Sequence, residues 1–233
     1  MHKLTRQVRF SVNPFLSEEF EGFNSFACKP AGEGLSIFLE LSVELAGEVE
    51  PTTGFVVNLV DIDRNIREFL VPVFTERIKQ NFRQAKHIGL FEIAKLLVSA
   101  WSRLADKFET AQLSQLSLKL NPFRKMGINS KDLDMLYFSE KFEFAATHKL
   151  WNEDFSEERN FEVFGKCAHP TGHGHNYIVE ITIKMPANRE NFSIVDFEKT
   201  VAQELIQHLD HKNLNTDVDH FSKTNPTVEN ITC

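Results

Sequence analysis

The densest chemistry in this 233-residue sequence lies at residues 164–177, Phe-Gly-Lys-Cys-Ala-His-Pro-Thr-Gly-His-Gly-His-Asn-Tyr. His173 and His175 are two apart, and in a strand that spacing puts both imidazoles on one face, side by side, as a metal ion needs. His148 ends a second strand-like segment, Phe142 to His148, and is the third candidate. Three histidine ligands with a fourth position open is the arrangement of a catalytic zinc, not of a structural one. Cys167 lies six residues before His173 in a Gly-Lys-Cys turn. It has three readings: a fourth zinc ligand, an inert thiol, or a base or nucleophile whose thiolate is favoured by a neighbouring cation, zinc or Lys166. The third is preferred. Asp210 and His211 end a helical segment before an Asn-rich turn, Leu209 to Asn215. With a cysteine base and a metal in the same region, a histidine oriented by a carboxylate supplies a proton relay.

Elements must hold these groups in place, and the pattern of the chain supplies them as a repeat. Gly34 to Leu45 and His175 to Met185 alternate apolar and polar residues at period two, which predicts strands with one buried face. Each is preceded by a short Phe-rich strand, Val8 to Pro14 and Phe142 to His148. A helical pattern follows each, Ile62 to Ile78 in the first half and Asp196 to Asp210 in the second. The first half continues with a second helix, Leu90 to Phe108, and a strand, Gln115 to Leu120. The boundary is placed at Asn129 to Met135, giving units 1–135 and 136–233. Aligning the halves puts Pro14, Glu33 and Leu35 where the second has His148, His173 and His175, so the first unit is expected to hold no such metal. Cys28 falls near the place of Cys167 but out of register, and reads as a small buried hydrophobe. The alignment also predicts that the second unit is incomplete, lacking a second helix and a closing strand.

Composition narrows the classes of partner. With 42% hydrophobic and 25% charged residues the chain is that of a soluble globular protein, not of a disordered one. Residues 1–135 carry 17 basic and 17 acidic side chains, whereas residues 136–233 carry 9 and 16, so the whole net charge of −7 sits in the second part. An acidic surface argues against nucleic acid and anionic membrane, both of which need a basic footprint. Three widely spaced cysteines and an N-terminus without an apolar core lead to the expectation of a reducing, cytoplasmic setting. No apolar run approaches the roughly 20 residues of a spanning helix.

Taken together, Ala-Ala-Thr-His, Phe-Gly-Lys-Cys, Gly-His-Gly-His-Asn-Tyr, Leu-Asp-His-Lys-Asn-Leu-Asn and Pro-Thr-Val-Glu-Asn run in order between Phe138 and Asn230. This set resembles the 6-pyruvoyltetrahydropterin synthase and 6-carboxytetrahydropterin synthase family. The resemblance implies an α+β tunnelling fold (T-fold), here two tandem ββααββ units with antiparallel sheets, the C-terminal one incomplete. It implies zinc (Zn2+) on His148, His173 and His175, catalytic roles for Cys167, Asp210 and His211, and positions near the pterin for Thr227 and Glu229. An acidic residue such as Glu229 at a helix start could equally be part of a cap. The implied activity is a lyase acting on the small-molecule substrate 7,8-dihydroneopterin triphosphate. The product is the 6-pyruvoyl compound of tetrahydrobiopterin biosynthesis or the 6-carboxy compound of queuosine biosynthesis. The five-residue gap between Cys167 and His173 is closer to the pyruvoyl type. Units of this family assemble through sheet edges, so the expected state is a homo-oligomer, a trimer of tandem units. The rival reading is a non-catalytic pterin-binding or assembly protein of the same fold. A zinc hydrolase of another family would need a Glu or Asp poised beside the metal, and the His-Gly-His region supplies none.

Overall fold

The computed structural model describes residues 1–15, 35–188 and 191–232; Cys28 and Glu33, which the repeat alignment singled out, lie outside the described residues. The chain divides into two compact units, one of Met1–Glu140 with Thr182–Glu190 and one of Lys141–Ile181 with Asn191–Cys233.

The first unit is an antiparallel sheet with helices. Strands β1 (His2–Val12) and β2 (Ile37–Gly47) pair without interruption from His2 opposite Gly47 to Val12 opposite Ile37. β3 (Ala111–Lys119), β4 (Arg124–Asn129) and the start of β5 (Asp132–His148) follow in order, each antiparallel to the last. The residues 129–135 form the tight end of the β4–β5 hairpin, with Asn129 opposite Asp132. Alternation buries one face: Val8, Phe10 and Val12 on β1, Leu41, Val43 and Leu45 on β2, Leu116 and Leu118 on β3. Against this stands a helical run in which α1 (Leu59–Asn65) passes through a π turn at Ile66–Leu70 into α2 (Val71–Arg83). Asn58 starts it by accepting the Val60 N–H at 3.0 Å. Ile62, Ile66, Leu70 and Phe74, one turn apart, form its buried stripe, and each such side chain contributes about 1.5–3 kcal/mol. α3 (Leu90–Leu104) adds Leu97, Ala100 and Leu104. Arg6 of β1 clasps Asp63 of α1 through both nitrogens of its fork. Of the positions aligned with the histidines, Pro14 is half-buried and Leu35 is 95% exposed.

The second unit carries the chemistry. Here β5 runs on to His148, and α4 (Glu157–Phe164) leads through a 3-10 turn at Gly165–Ala168 into β6 (His173–Pro186), which lies beside β5 in the sheet order. Then α5 (Ile194–Val201) passes through a π turn at Ala202–Ile206 into α6 (Gln207–Leu209). The two-residue β7 (Lys212–Asn213) pairs parallel to β5, with Ala146 opposite Lys212. α7 (Leu214–Asp217) and α8 (Val228–Ile231) complete it. Its core is small, formed by Phe144 and Ala146 of β5 with Leu209, Leu214 and Phe221; Tyr177 and Val179 of β6 pack against it. No helix among the described residues is long and apolar enough to cross a membrane.

Candidate active site

β5 and β6 bring the three histidines together. Phe144, Ala146 and His148 share the buried face of β5, so the strand that packs the core also delivers His148 at its end, only 7% exposed. His173 and His175 open β6 two residues apart. One ring nitrogen from each of the three lies within 4.8 Å of the others, and among the described residues this is the only such group that could hold a metal ion.

Hydrogen bonding fixes which nitrogens are available. Nδ1 of His148 lies 2.9 Å from the Pro226 carbonyl oxygen, which can only accept, so Nδ1 carries the proton and Nε2 the lone pair. That Nε2 is buried and has no partner, a position that costs about 1–3 kcal/mol unless a ligand fills it. Nε2 of His175 faces Nε2 of His173 at 2.6 Å, two nitrogens that a cation or a shared proton must separate. Three imidazoles with ring nitrogens this close together, one of them held at its Nδ1 by a backbone carbonyl, are a donor set that suits zinc. The three residues therefore fit a metal of that class.

The neighbouring chain is pinned around this cluster. Asn215 clamps the residue after His148 from both sides, accepting the Lys149 N–H at 2.7 Å and donating to the Lys149 carbonyl at 2.9 Å. Asn225 accepts the Trp151 N–H at 2.9 Å, and the Cys167 carbonyl accepts the Leu150 N–H at 2.8 Å. Gly172, with φ of +68°, sits so close that an added Cβ would lie 2.7 Å from the His148 carbonyl oxygen. Gly172→Ala is accordingly expected to destabilise the unit by about 1–3 kcal/mol and to weaken metal retention, measured by thermal unfolding and by metal content after dialysis.

Cys167 is half-buried in the 3-10 turn, with its sulfur 3.5 Å from Nε2 of His173. Asp210 and His211 follow α6. The Asp210 carboxylate accepts the Ala145 N–H at 2.9 Å and holds Nδ1 of His211 at 2.8 Å, and these contacts, the backbone one first, keep its carboxyl below the ordinary range. The backbone N–H of His211 also donates to the Ala145 carbonyl at 2.6 Å, locking His211 at φ of +56°, in the left-handed region. Its ring is left 83% exposed. His211 and His175 line one groove of about 400 Å³.

Thr227 and Glu229 are placed differently. Thr227 follows Pro226, and its hydroxyl accepts the Asn230 N–H at 3.4 Å as the cap of α8. Glu229 is exposed in the first turn of α8, its carboxyl lowered by its own backbone N–H and then by the Thr227 hydroxyl. Sequence reasoning missed the Pro226 carbonyl, Asn215 and Tyr177. Tyr177 stacks on Phe144 with ring centres 5.0 Å apart, its hydroxyl is buried without a partner, and burial pushes its phenol up. The position of Tyr177 directly after His-Gly-His-Asn was the one available signal.

Residues 137–233 match the family described as 6-pyruvoyl tetrahydropterin synthase. A 6-pyruvoyl tetrahydrobiopterin synthase of Homo sapiens is 40% identical over 96 residues, which cover 40% of this chain and 66% of the relative. One from Poecilia reticulata is 39% identical over 98 residues, covering 41% and 67%. A solved structure of Caenorhabditis elegans 6-pyruvoyl tetrahydropterin synthase is 30% identical, with a TM-score of 0.39, covering 42% of this chain and 71% of that one. The chain thus spans about two thirds of the length of these curated relatives. Through this match, which takes in the three-histidine cluster, Cys167 and the Asp210–His211 pair, the chain belongs to the 6-pyruvoyl tetrahydropterin synthase family.

Proposed function

We propose that the second unit is a zinc-dependent lyase acting on 7,8-dihydroneopterin triphosphate, with the 6-pyruvoyl compound as product. One observation carries this reading: two different acid–base groups flank the three-imidazole cluster. Cys167 stands 3.5 Å from His173, and His211 lines the same groove as His175. His148, His173 and His175 would hold the zinc, which when bound polarises the side-chain oxygens of the substrate and acidifies the adjoining C–H. The Cys167 thiolate takes the proton from that carbon at Sγ. His211, its Nδ1 tied to Asp210, returns a proton from Nε2 to the pterin ring, whose C=N bond takes up the electron pair left on the deprotonated carbon so that the hydroxyl there becomes a carbonyl. Loss of a proton from the next carbon with departure of triphosphate from the terminal one then gives the second carbonyl. The first unit, on the same reading, is a copy of the fold kept for packing, and the protein is a homo-oligomer joined through sheet edges.

The test is to incubate the zinc-loaded protein with 7,8-dihydroneopterin triphosphate and follow released triphosphate by phosphorus NMR. Release that depends on zinc supports the reading. Recovery of an intact pterin triphosphate from zinc-loaded protein contradicts it and favours pterin binding without turnover.

A further inference from the structure

We propose, on the strength of the zinc reading above, that Asn225 and Asn230 are positioning residues for the metal: by fixing where the Pro226 carbonyl points, they hold His148 in the tautomer and orientation that zinc binding needs. Among the described residues the Pro226 oxygen, at 2.9 Å, is the partner of His148 Nδ1, and the buried Nε2 has none. If that carbonyl turned away, both nitrogens of a buried imidazole would lack partners. Nothing would then select the tautomer that leaves Nε2 free for a metal.

The direction of a backbone carbonyl is set by how the chain on either side of it is anchored. The ring of Pro226 fixes its own φ and confines Asn225 to extended backbone, which leaves the anchoring of this corner to decide the rest. Three bonds supply it. The Asn225 side-chain oxygen accepts the Trp151 N–H at 2.9 Å, tying the corner to the chain three residues after His148. The Asn225 carbonyl accepts the Thr227 N–H and the Asn230 side-chain NH2, each at 2.8 Å, which occupies both of its lone pairs. Asn230 stands in α8, whose Ile231 packs against the core of the unit, so the corner is fastened on both sides. The two asparagines use opposite halves of their amides. Asn225 serves through its oxygen, its NH2 having no partner among the described residues, whereas Asn230 serves through its NH2. An aspartate can stand in for the first and not for the second, because an ionised carboxylate only accepts.

The experiment measures the zinc dissociation constant of the purified full chain by competition with a chromophoric chelator, for the parent, Asn225→Ala, Asn225→Asp and Asn230→Asp. Thermal unfolding of each metal-free protein is recorded alongside. Asn225→Ala and Asn230→Asp are expected to bind zinc about 10- to 100-fold more weakly, the usual cost of removing an outer partner of a metal ligand, and Asn225→Asp to bind close to the parent. Both aspartates add one negative charge to the same corner, so charge alone would move them together. The affinity is read on folded protein, so a loss of stability alone leaves it unchanged. If Asn230→Asp fails to fold, the split between the two Asn225 variants decides. Parent affinity in Asn225→Ala, parent affinity in Asn230→Asp, or equal weakening in both Asn225 variants overturns the proposal; a parent that binds no zinc overturns it together with the zinc reading. Zinc held in the expected pattern by a protein that does not convert the pterin upholds these roles while the lyase reading fails.

Discussion

Cys167→Ala should keep the fold and the zinc and lose about 10²- to 10⁴-fold in turnover, the usual worth of a positioned acid–base group. The expectation rests on where the sulfur stands. It is half-buried and hydrogen-bonding distance from His173, 3.5 Å, while the three ring nitrogens form the close-set group without it. Removing the thiol takes away neither a core side chain nor a residue of the clamp that positions His148, because the Cys167 contribution to that clamp is its backbone carbonyl. Metal content and rate measured on one preparation separate the roles. Zinc lost together with activity would make the sulfur a ligand; zinc retained with full activity would remove it from the chemistry.

His211→Asn should lower kcat to a similar degree with KM nearly unchanged, since a relay acts on the transition state more than on the ground state. The local structure is arranged around the ring. A non-glycine residue at φ of +56° costs about 1 kcal/mol or more, offset here by Asp210 bridging Ala145 and His211 and by the 2.6 Å backbone bond. Because the Asp210 carboxyl is held below its ordinary range, the bridge is complete above the ordinary carboxylate pKa. It is lost only as pH falls through the lowered value, so the orientation of His211 persists through the neutral range. A large rise in KM at constant kcat would contradict the relay and make His211 a binding residue.

The part of this site legible in the sequence is the part written in side chains on regular elements. Period-two spacing placed His173 and His175 on one face, and the strand ending at His148 had the same alternation, so the imidazoles could be grouped before any coordinates. The anchors of those imidazoles were not legible. A backbone carbonyl such as that of Pro226 is the same in every residue type, and its role depends on a contact across 78 positions. Asn215 reaches Lys149 across 66 positions, where an asparagine near a turn normally reads as local turn chemistry. The helices at Ile62–Ile78, Leu90–Phe108 and Asp196–Asp210 were legible as helices and α4 (Glu157–Phe164) was not; nor were the π turns at Ile66–Leu70 and Ala202–Ile206, because one inserted residue barely disturbs an apolar stripe. β5 was read as seven residues and is 17 long, since its first half alternates around Leu136 and Phe138 without the Phe-rich signature that marked its end.

A single zinc on His148, His173 and His175 is open to direct test by elemental analysis of the purified chain. One zinc per chain is predicted for the parent and for Cys167→Ala, and none for the His173→Ala, His175→Ala double variant. Two zinc ions per chain, or zinc retained in that double variant, would contradict the account.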